Sequence, residues 1–260
     1  MRISLHISPT RVVRALFIFL AVLVCFHLFV VVAHFKFHRP VAAMTELFDM
    51  DREANLPALF NVLLFMIAGV LFYAMGRTTE GKARRSWFLM AGVFVFLGLD
   101  EGAQIHEKLM MVTLRLMNNG GMGDGQMGWL YYAWTIPYGL AAIALLVMLL
   151  PWLVKLDPRT RWGLLITGGI YVFGAVFMEA FSGKIAEGLE ATARSEEQLS
   201  WLPCMLYPPT QCFLYADATY VLLYTIEEFA EMTGVILCIG VLLRALERSK
   251  ATMEVAFGKA

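Results

Sequence analysis

The sequence predicts an all-α, polytopic membrane protein with six transmembrane helices and both termini in the cytoplasm. Hydrophobic residues make up 59% of its 260 residues, charged residues make up 16%, and the mean hydropathy is +0.66. A soluble domain of this size is less apolar. The apolar residues also fall in long blocks, and Lys and Arg collect between alternate blocks, as they do in cytoplasmic segments.

Six blocks are long enough to be helices that cross the membrane, because a hydrocarbon core of about 30 Å needs about 20 apolar residues per helix. The first block exceeds the apolar core of a signal peptide, so we interpret it as an uncleaved helix. In chain order the blocks span residues 14–36, 56–76, 87–108, 129–153, 162–182 and 219–244.

The basic residues predict the orientation. With the N terminus inside, 14 of the 21 Lys and Arg residues lie in inner segments and 7 in outer ones. This bias predicts that both termini lie in the cytoplasm, and we expect a multi-pass protein of the inner (plasma) membrane. We expect one transmembrane domain over residues 1–260, with an extracytoplasmic loop at 183–218. The loop holds Cys204 and Cys212 on the side where disulfides persist, as a disulfide or as two unpaired thiols.

Ionisable residues lie at one depth of several predicted helices. At about 1.5 Å per residue, they share a layer roughly 10 Å thick in the outer half of the membrane. An acid at mid-membrane costs about 2.5 to 3.5 kcal/mol, so several at one level need a compensating partner. The layer contains His27, His34, Asp100, Glu101, His106, Glu107, Glu179, Glu227, Glu228 and Glu231.

Helical spacing predicts which of these side chains meet. In an uninterrupted third helix, Asp100 and Glu107 lie seven positions apart and share a face, while Glu101 points about 100° away. On the sixth helix Glu227 and Glu231 share a stripe, and Glu228 borders it. The acids therefore face the inside of the bundle.

A second polar group precedes the second helix, in "FDMDREANLPALFN". We favour a helix start, with Asn55 as the cap and Pro57 in the first turn. The alternative is a hard-cation or lid site formed by Asp49, Asp51, Glu53 and other residues of the stretch, including Asn61.

A bound divalent metal is the favoured partner of the acidic layer, over a proton or ion pathway and over a structural polar network. Carboxylates with imidazole suit iron, zinc or manganese. The paired Glu-x-x-His pattern of di-iron bundles is missing, which leaves either a mixed mono- or dinuclear site completed by His34 or no such site. The predicted metal ligands are His34, Asp100, His106, Glu107, Glu179, Glu227 and Glu231.

The leading functional hypothesis is a metal-dependent enzyme that acts near the outer leaflet on a lipid or other apolar substrate. Glu228 and Glu101 are its predicted catalytic acids, with Glu228 as a general base near a metal-activated water. The alternative is a proton- or cation-coupled carrier, or an accessory subunit of a larger membrane complex. The sequence has no serine-hydrolase, nucleotide-binding or zincin motif. The net charge is zero, without a basic tail for nucleic acid.

The stretches "LDEGAQIHEKL", "DREANLPALF" and "IEEFAEMTGVIL" together resemble a group of uncharacterised bacterial multi-pass membrane proteins. The resemblance covers the second, third and sixth predicted helices. It implies a family and no activity.

Overall fold

The computed structural model describes residues 2–4, 8–38, 41–119, 128–196, 217–249 and 254–256, and these are almost entirely helical. The elements in chain order are β1 (Arg2–Ser4), α1 (Pro9–Phe35), α2 (Ala42–Phe48), α3 (Leu56–Thr78), α4 (Ala83–Ala103), α5 (Ile105–Asn119), a short 3₁₀ turn (Gly128–Leu130), α6 (Thr135–Leu153), α7 (Pro158–Val172), a π-helical segment (Phe173–Met178), α8 (Glu179–Glu196), α9 (Ala218–Arg248) and β2 (Glu254–Ala256).

Six described helices are long and apolar enough to cross a membrane, which confirms the predicted fold class. They are α1, α3, α4, α6, the continuous helix Pro158–Leu189 and α9. The predicted helix start before α3 is also confirmed. The Asn55 side chain accepts a hydrogen bond from the Ala58 amide at 3.1 Å, and Pro57 lies in the first turn.

The third predicted helix is wrong at its outer end, because α4 stops at Ala103. Gln104 adopts the left-handed conformation with φ of 54°, and α5 begins at Ile105. The residue at the break is neither Gly nor Pro, although Gly102 lies two positions before it. Asp100 and Glu107 therefore do not lie on one continuous helical face.

Helix α9 is the centre of the bundle and packs against α1, α3, α7 and the π-helical segment. The approach to α7 is close because glycines face backbone. A Cβ at Gly234 would lie 2.8 Å from the Tyr171 amide nitrogen, and one at Gly174 would lie 2.9 Å from the Glu227 carbonyl oxygen. Small residues at membrane helix contacts allow such short separations.

Helix α6 is peripheral, with sparse backbone contacts to α4 and to the π-helical segment. Most of its large apolar side chains are exposed, as expected for a surface in lipid. Its separation from α9 leaves a space inside the bundle.

The two ends of the described chain meet in a small antiparallel ribbon. Strand β1 pairs with β2, with Ile3 opposite Val255. Both ends therefore lie on the same side of the bundle, as an even number of crossings requires. The 183–218 segment begins as helix up to Glu196, and Cys204 and Cys212 lie outside the described residues.

Candidate functional site: an acidic intramembrane cavity

A cavity of about 1210 Å³ lies between α4, α6, α7 and α9. Ligand pockets are commonly about 300 to 1,000 Å³, so this one could hold a large molecule. It runs along α6 from Trp134 to Leu153, which is about 28 Å at the rise of a helix. The cavity is therefore about as long as the hydrocarbon core is thick.

Most of the wall is apolar. Its large side chains come from α3, α4, α6 and α7 and include Phe72, Phe94, Leu97, Leu145, Leu149, Trp152 and Leu165. Such a wall fits a hydrocarbon chain, because apolar surface loses water without leaving polar groups unpaired.

The acidic side chains lie together at one end of the same cavity. Arg52 is the one Lys or Arg among the described residues that line it. The lining acids are Asp51, Glu53, Asp100, Glu101, Glu179, Glu227, Glu228 and Glu231. One arginine cannot balance eight carboxylates, so other cations or protons must compensate them.

Asp100 organises the corner where α4 gives way to α5. Its Oδ1 accepts hydrogen bonds from the His106 amide and from the Tyr138 hydroxyl, both at 2.8 Å. Its Oδ2 lies 3.3 Å from His106 Nδ1. Burial lowers the pKa of His106, but the hydrogen bond and charge of Asp100 outweigh it, so the pKa is raised above its ordinary value. The pair joins a buried carboxylate to a readily protonated imidazole.

Aromatic residues just before α6 lie close to Glu179. Trp134 Nε1 donates to Glu179 Oε1 at 3.1 Å, and the Trp134 ring packs on His106 with centroids 4.9 Å apart. The hydroxyls of Tyr132 and Tyr220 lie 3.0 Å apart. Burial raises the pKa of Tyr132 well above its ordinary value, and the charge of Glu179 adds to the rise, so this phenol stays protonated.

Glu227 and Glu231 lie on α9 where it meets the π-helical segment. The Ser182 hydroxyl donates to Glu227 Oε2 at 3.4 Å, and Glu179 is also close enough to interact with Glu227. Glu231 is 9% exposed and lies within electrostatic reach of Glu101 and Glu179. A π-helical segment directly before Glu179 is notable because such segments are frequent at functional sites.

The cavity contains seven of the predicted site residues and lacks one. Asp100, Glu101, His106, Glu179, Glu227, Glu228 and Glu231 line it. His34 does not line it, and its ring packs against Phe35 at a centroid distance of 4.8 Å. The backbone of Glu107 lies in α5, and its side chain is outside the described set.

His27, and not His34, is the buried histidine of α1. Its Nδ1 accepts a hydrogen bond from the Met50 amide at 3.3 Å, so Nε2 carries the proton that is donated to Thr225 Oγ1 at 2.9 Å. Asp49 lies 3.6 Å from the ring and accepts from the Tyr224 hydroxyl at 3.0 Å. This network fixes the turn before α3 against α1 and α9.

Sequence reasoning missed three polar residues of this region. Trp134 and Tyr138 hold the carboxylates of Glu179 and Asp100, and their signal was the aromatic run "YYAWTIPYG" at the start of a membrane helix. Asn61 was assigned to the alternative hard-cation or lid site before α3, although its buried amide lies beside Glu101 and Glu231.

Among the described residues, no three His, Cys, Asp or Glu side chains are placed to hold one metal ion. The predicted iron, zinc or manganese site stays a prediction, since the Glu107 side chain falls outside that set.

The model of the family described as "Domain of unknown function (DUF8692)" matches residues 15–246. The chain belongs to this family. The match includes every cavity-lining residue of α4, α6, α7 and α9, so the DUF8692 region contains the whole site. No curated protein and no solved structure matches the chain.

Proposed function

We propose that the protein is a cation-coupled carrier of an apolar or lipid-like molecule in the bacterial inner membrane, with both termini in the cytoplasm. The observation that carries this proposal is the composition of one cavity. Its long apolar wall suits a hydrocarbon chain, and the carboxylates at one end suit a cation. Both ligands would share a single space, so the binding of one would change the affinity for the other, and this change in affinity is coupling.

Two features of the bundle support movement of a ligand through this site. Helix α6 forms one wall and makes sparse backbone contacts with its neighbours, so it can separate from the bundle at low cost. The π-helical segment at Phe173–Met178 interrupts regular α-helical bonding beside the acids. Carboxylates buried in transmembrane segments are typical of ion pathways.

Flux in vesicles tests the proposal. The protein is reconstituted in vesicles of a bacterial polar lipid extract, which contain dyes for protons, Na⁺ or Ca²⁺, and an inward gradient of one cation is imposed. We expect faster cation entry than in protein-free vesicles, with loss of the excess rate in Glu227→Gln. Glu247→Gln is the matched control, since Glu247 is an exposed acid on the same helix. Entry no faster than in protein-free vesicles for all three cations contradicts the carrier.

A metal-dependent enzyme acting on a lipid or apolar substrate is the second candidate, and one contact favours it. Metal-bound histidines usually donate their other ring N–H to a carboxylate, and His106 Nδ1 lies 3.3 Å from Asp100 Oδ2. In this arrangement Asp100 orients the histidine, and Glu228 or Glu101 supplies the general base.

Elemental analysis of protein purified without chelators decides between the candidates. One equivalent of iron, zinc or manganese that is lost in His106→Ala favours the enzyme. Equal metal content in the wild type and His106→Ala refutes a site at this histidine.

A further inference from the structure

Asn61 is an unpaired amide in the middle of the bundle. Its side chain is 0% exposed, and neither Nδ2 nor Oδ1 has a partner within hydrogen-bond geometry. Leaving a buried polar group unpaired is unfavourable, because its bonds to water are lost on folding. Such a group in a native protein needs an explanation, and a water or an ion from outside the chain is one.

Two carboxylates that line the cavity lie beside this amide. Asn61 is close enough to the side chains of both Glu101 and Glu231 to interact with each, but no contact of its amide meets hydrogen-bond geometry. Glu101 lies beside Asn61 because α3 and α4 are close at this level. A Cβ at Gly102 would lie 3.6 Å from the Val62 side chain.

Glu231 reaches Asn61 from α9, which also packs against α3. A Cβ at Gly174 would lie 2.9 Å from Glu231 Cγ, so the π-helical segment limits where this side chain can go. Three helices thus bring two carboxylates and one amide to a single place, and both carboxylates line the cavity.

We propose that Asn61, Glu101 and Glu231 form a binding site for a hard divalent cation of the Ca²⁺ type. The inference deepens the proposed function and rests on it only for the role of the ion, which would be the coupling cation of the carrier. The site differs from the iron, zinc or manganese site predicted around His106, because it has no imidazole.

The donor atoms decide the class of ion. Carboxylate and amide oxygens are the ligands of hard cations, whereas softer metals take imidazole or thiolate. Two carboxylates and one amide supply up to five oxygens, and Ca²⁺ takes about 6 to 8 in flexible geometry. Water from the cavity can complete the shell. A divalent ion also balances the two carboxylate charges, which Arg52, the one Lys or Arg among the described lining residues, does not do alone.

Thermal unfolding in detergent with CaCl₂ tests the site. At about 100 times the Kd, a ligand adds about 2.7 kcal/mol of stability, which corresponds to a rise in Tm of about 5 to 10 °C for a chain of this size. We expect this rise in the wild type and in Glu247→Gln, and no rise in Glu231→Gln or Glu101→Gln. Isothermal titration should find one Ca²⁺ per chain.

Asn61→Leu separates an ion site from a structural polar network. The substitution removes an unpaired amide at similar volume, so without Ca²⁺ the Tm should stay the same or rise, while the Ca²⁺ effect disappears. A structural role for the amide predicts a lower Tm without Ca²⁺, which would overturn the proposal. If Asn61→Leu does not fold, Glu231→Gln and the Ca²⁺ titration of the wild type still test the proposed site.

Further outcomes also contradict the site. They are the absence of a Tm rise in the wild type, a rise retained in both Glu231→Gln and Glu101→Gln, and an equal rise with choline chloride at matched ionic strength. Binding in detergent needs no transport. Ca²⁺ binding without cation flux in vesicles therefore refutes the carrier and keeps the site, and flux without Ca²⁺ binding does the reverse.

Discussion

Because α7 and α9 are in close contact, one methyl group added between them should lower the stability of the protein strongly. A Cβ at Gly234 would lie 2.8 Å from the Tyr171 amide nitrogen and 3.0 Å from the Thr167 carbonyl oxygen. Both are backbone atoms, and ordinary non-bonded contacts lie at about 3.5 to 4.0 Å. In Gly234→Ala the two helices must therefore separate by several tenths of an ångström.

The expected change in the free energy of unfolding of Gly234→Ala is the sum of two opposing effects. Overpacking of this kind costs about 1 to 3 kcal/mol, whereas replacing Gly by Ala inside a helix gains up to about 1 kcal/mol. Gly168→Ala is the matched control, because a Cβ at Gly168 would meet nothing within 4 Å. Helix propensity cancels between the two variants, so their difference isolates the steric cost.

Melting in detergent, followed by circular dichroism, measures this difference. At about 2 to 4 °C per kcal/mol, Gly234→Ala should melt roughly 2 to 12 °C below Gly168→Ala. An equal or higher Tm for Gly234→Ala would show that α7 and α9 lie further apart than the structure places them. The placement of Glu231 against Gly174 would then lose its support.

Three more predictions concern hydrogen bonds and pH. Tyr138→Phe removes the 2.8 Å bond to Asp100 and should cost about 1 to 3 kcal/mol. The exposed Tyr73 provides the control, since Tyr73→Phe should leave the melt unchanged. Because the pKa of His106 is raised in the folded protein, its contribution to stability is complete below 6.5 and is lost as pH rises through the folded value. The alkaline decline in Tm should thus be smaller in His106→Gln, and an unchanged decline refutes the pairing with Asp100. Asp157→Ala removes the cap of α7 and should cost about 0.5 to 2 kcal/mol. Burial raises the pKa of Asp157, but Thr160 and Arg248 outweigh it and lower the pKa, so this contribution should disappear only as pH falls through a value below 3.8. If the wild type loses this stability at a pH above 3.8, the prediction for Asp157 is wrong.

The six helices could be predicted because membrane thickness fixes their length, and each one appears in the sequence as an apolar block of that length. The depth of the acidic residues in the membrane was predictable for the same reason. Rise per residue placed Asp100, Glu179 and Glu231 at one level, and these residues line one cavity.

The rotation of the side chains about the bundle could not be predicted, because it depends on packing between helices. His27 and His34 share a helical face in the sequence, yet His27 is 0% exposed and His34 packs beside Phe35 outside the cavity. The break at Gln104 was missed for a different reason, because the bonds that hold it are local: Asp100 accepts from the amide of His106, six residues further on, and contacts its ring. The helical period alone does not reveal such a pairing.

The bond between His27 and Thr225 has a consequence for the order in which the protein assembles. These residues are 198 positions apart, on the first and last crossing helices. During synthesis α1 enters the membrane long before α9 exists, so the His27 ring lacks this partner until the chain is nearly complete. Contacts that close such a long loop form late and slow folding. A truncation before α9 should therefore leave α1 poorly anchored, which makes the nascent chain a target for quality-control proteases until its last helix inserts.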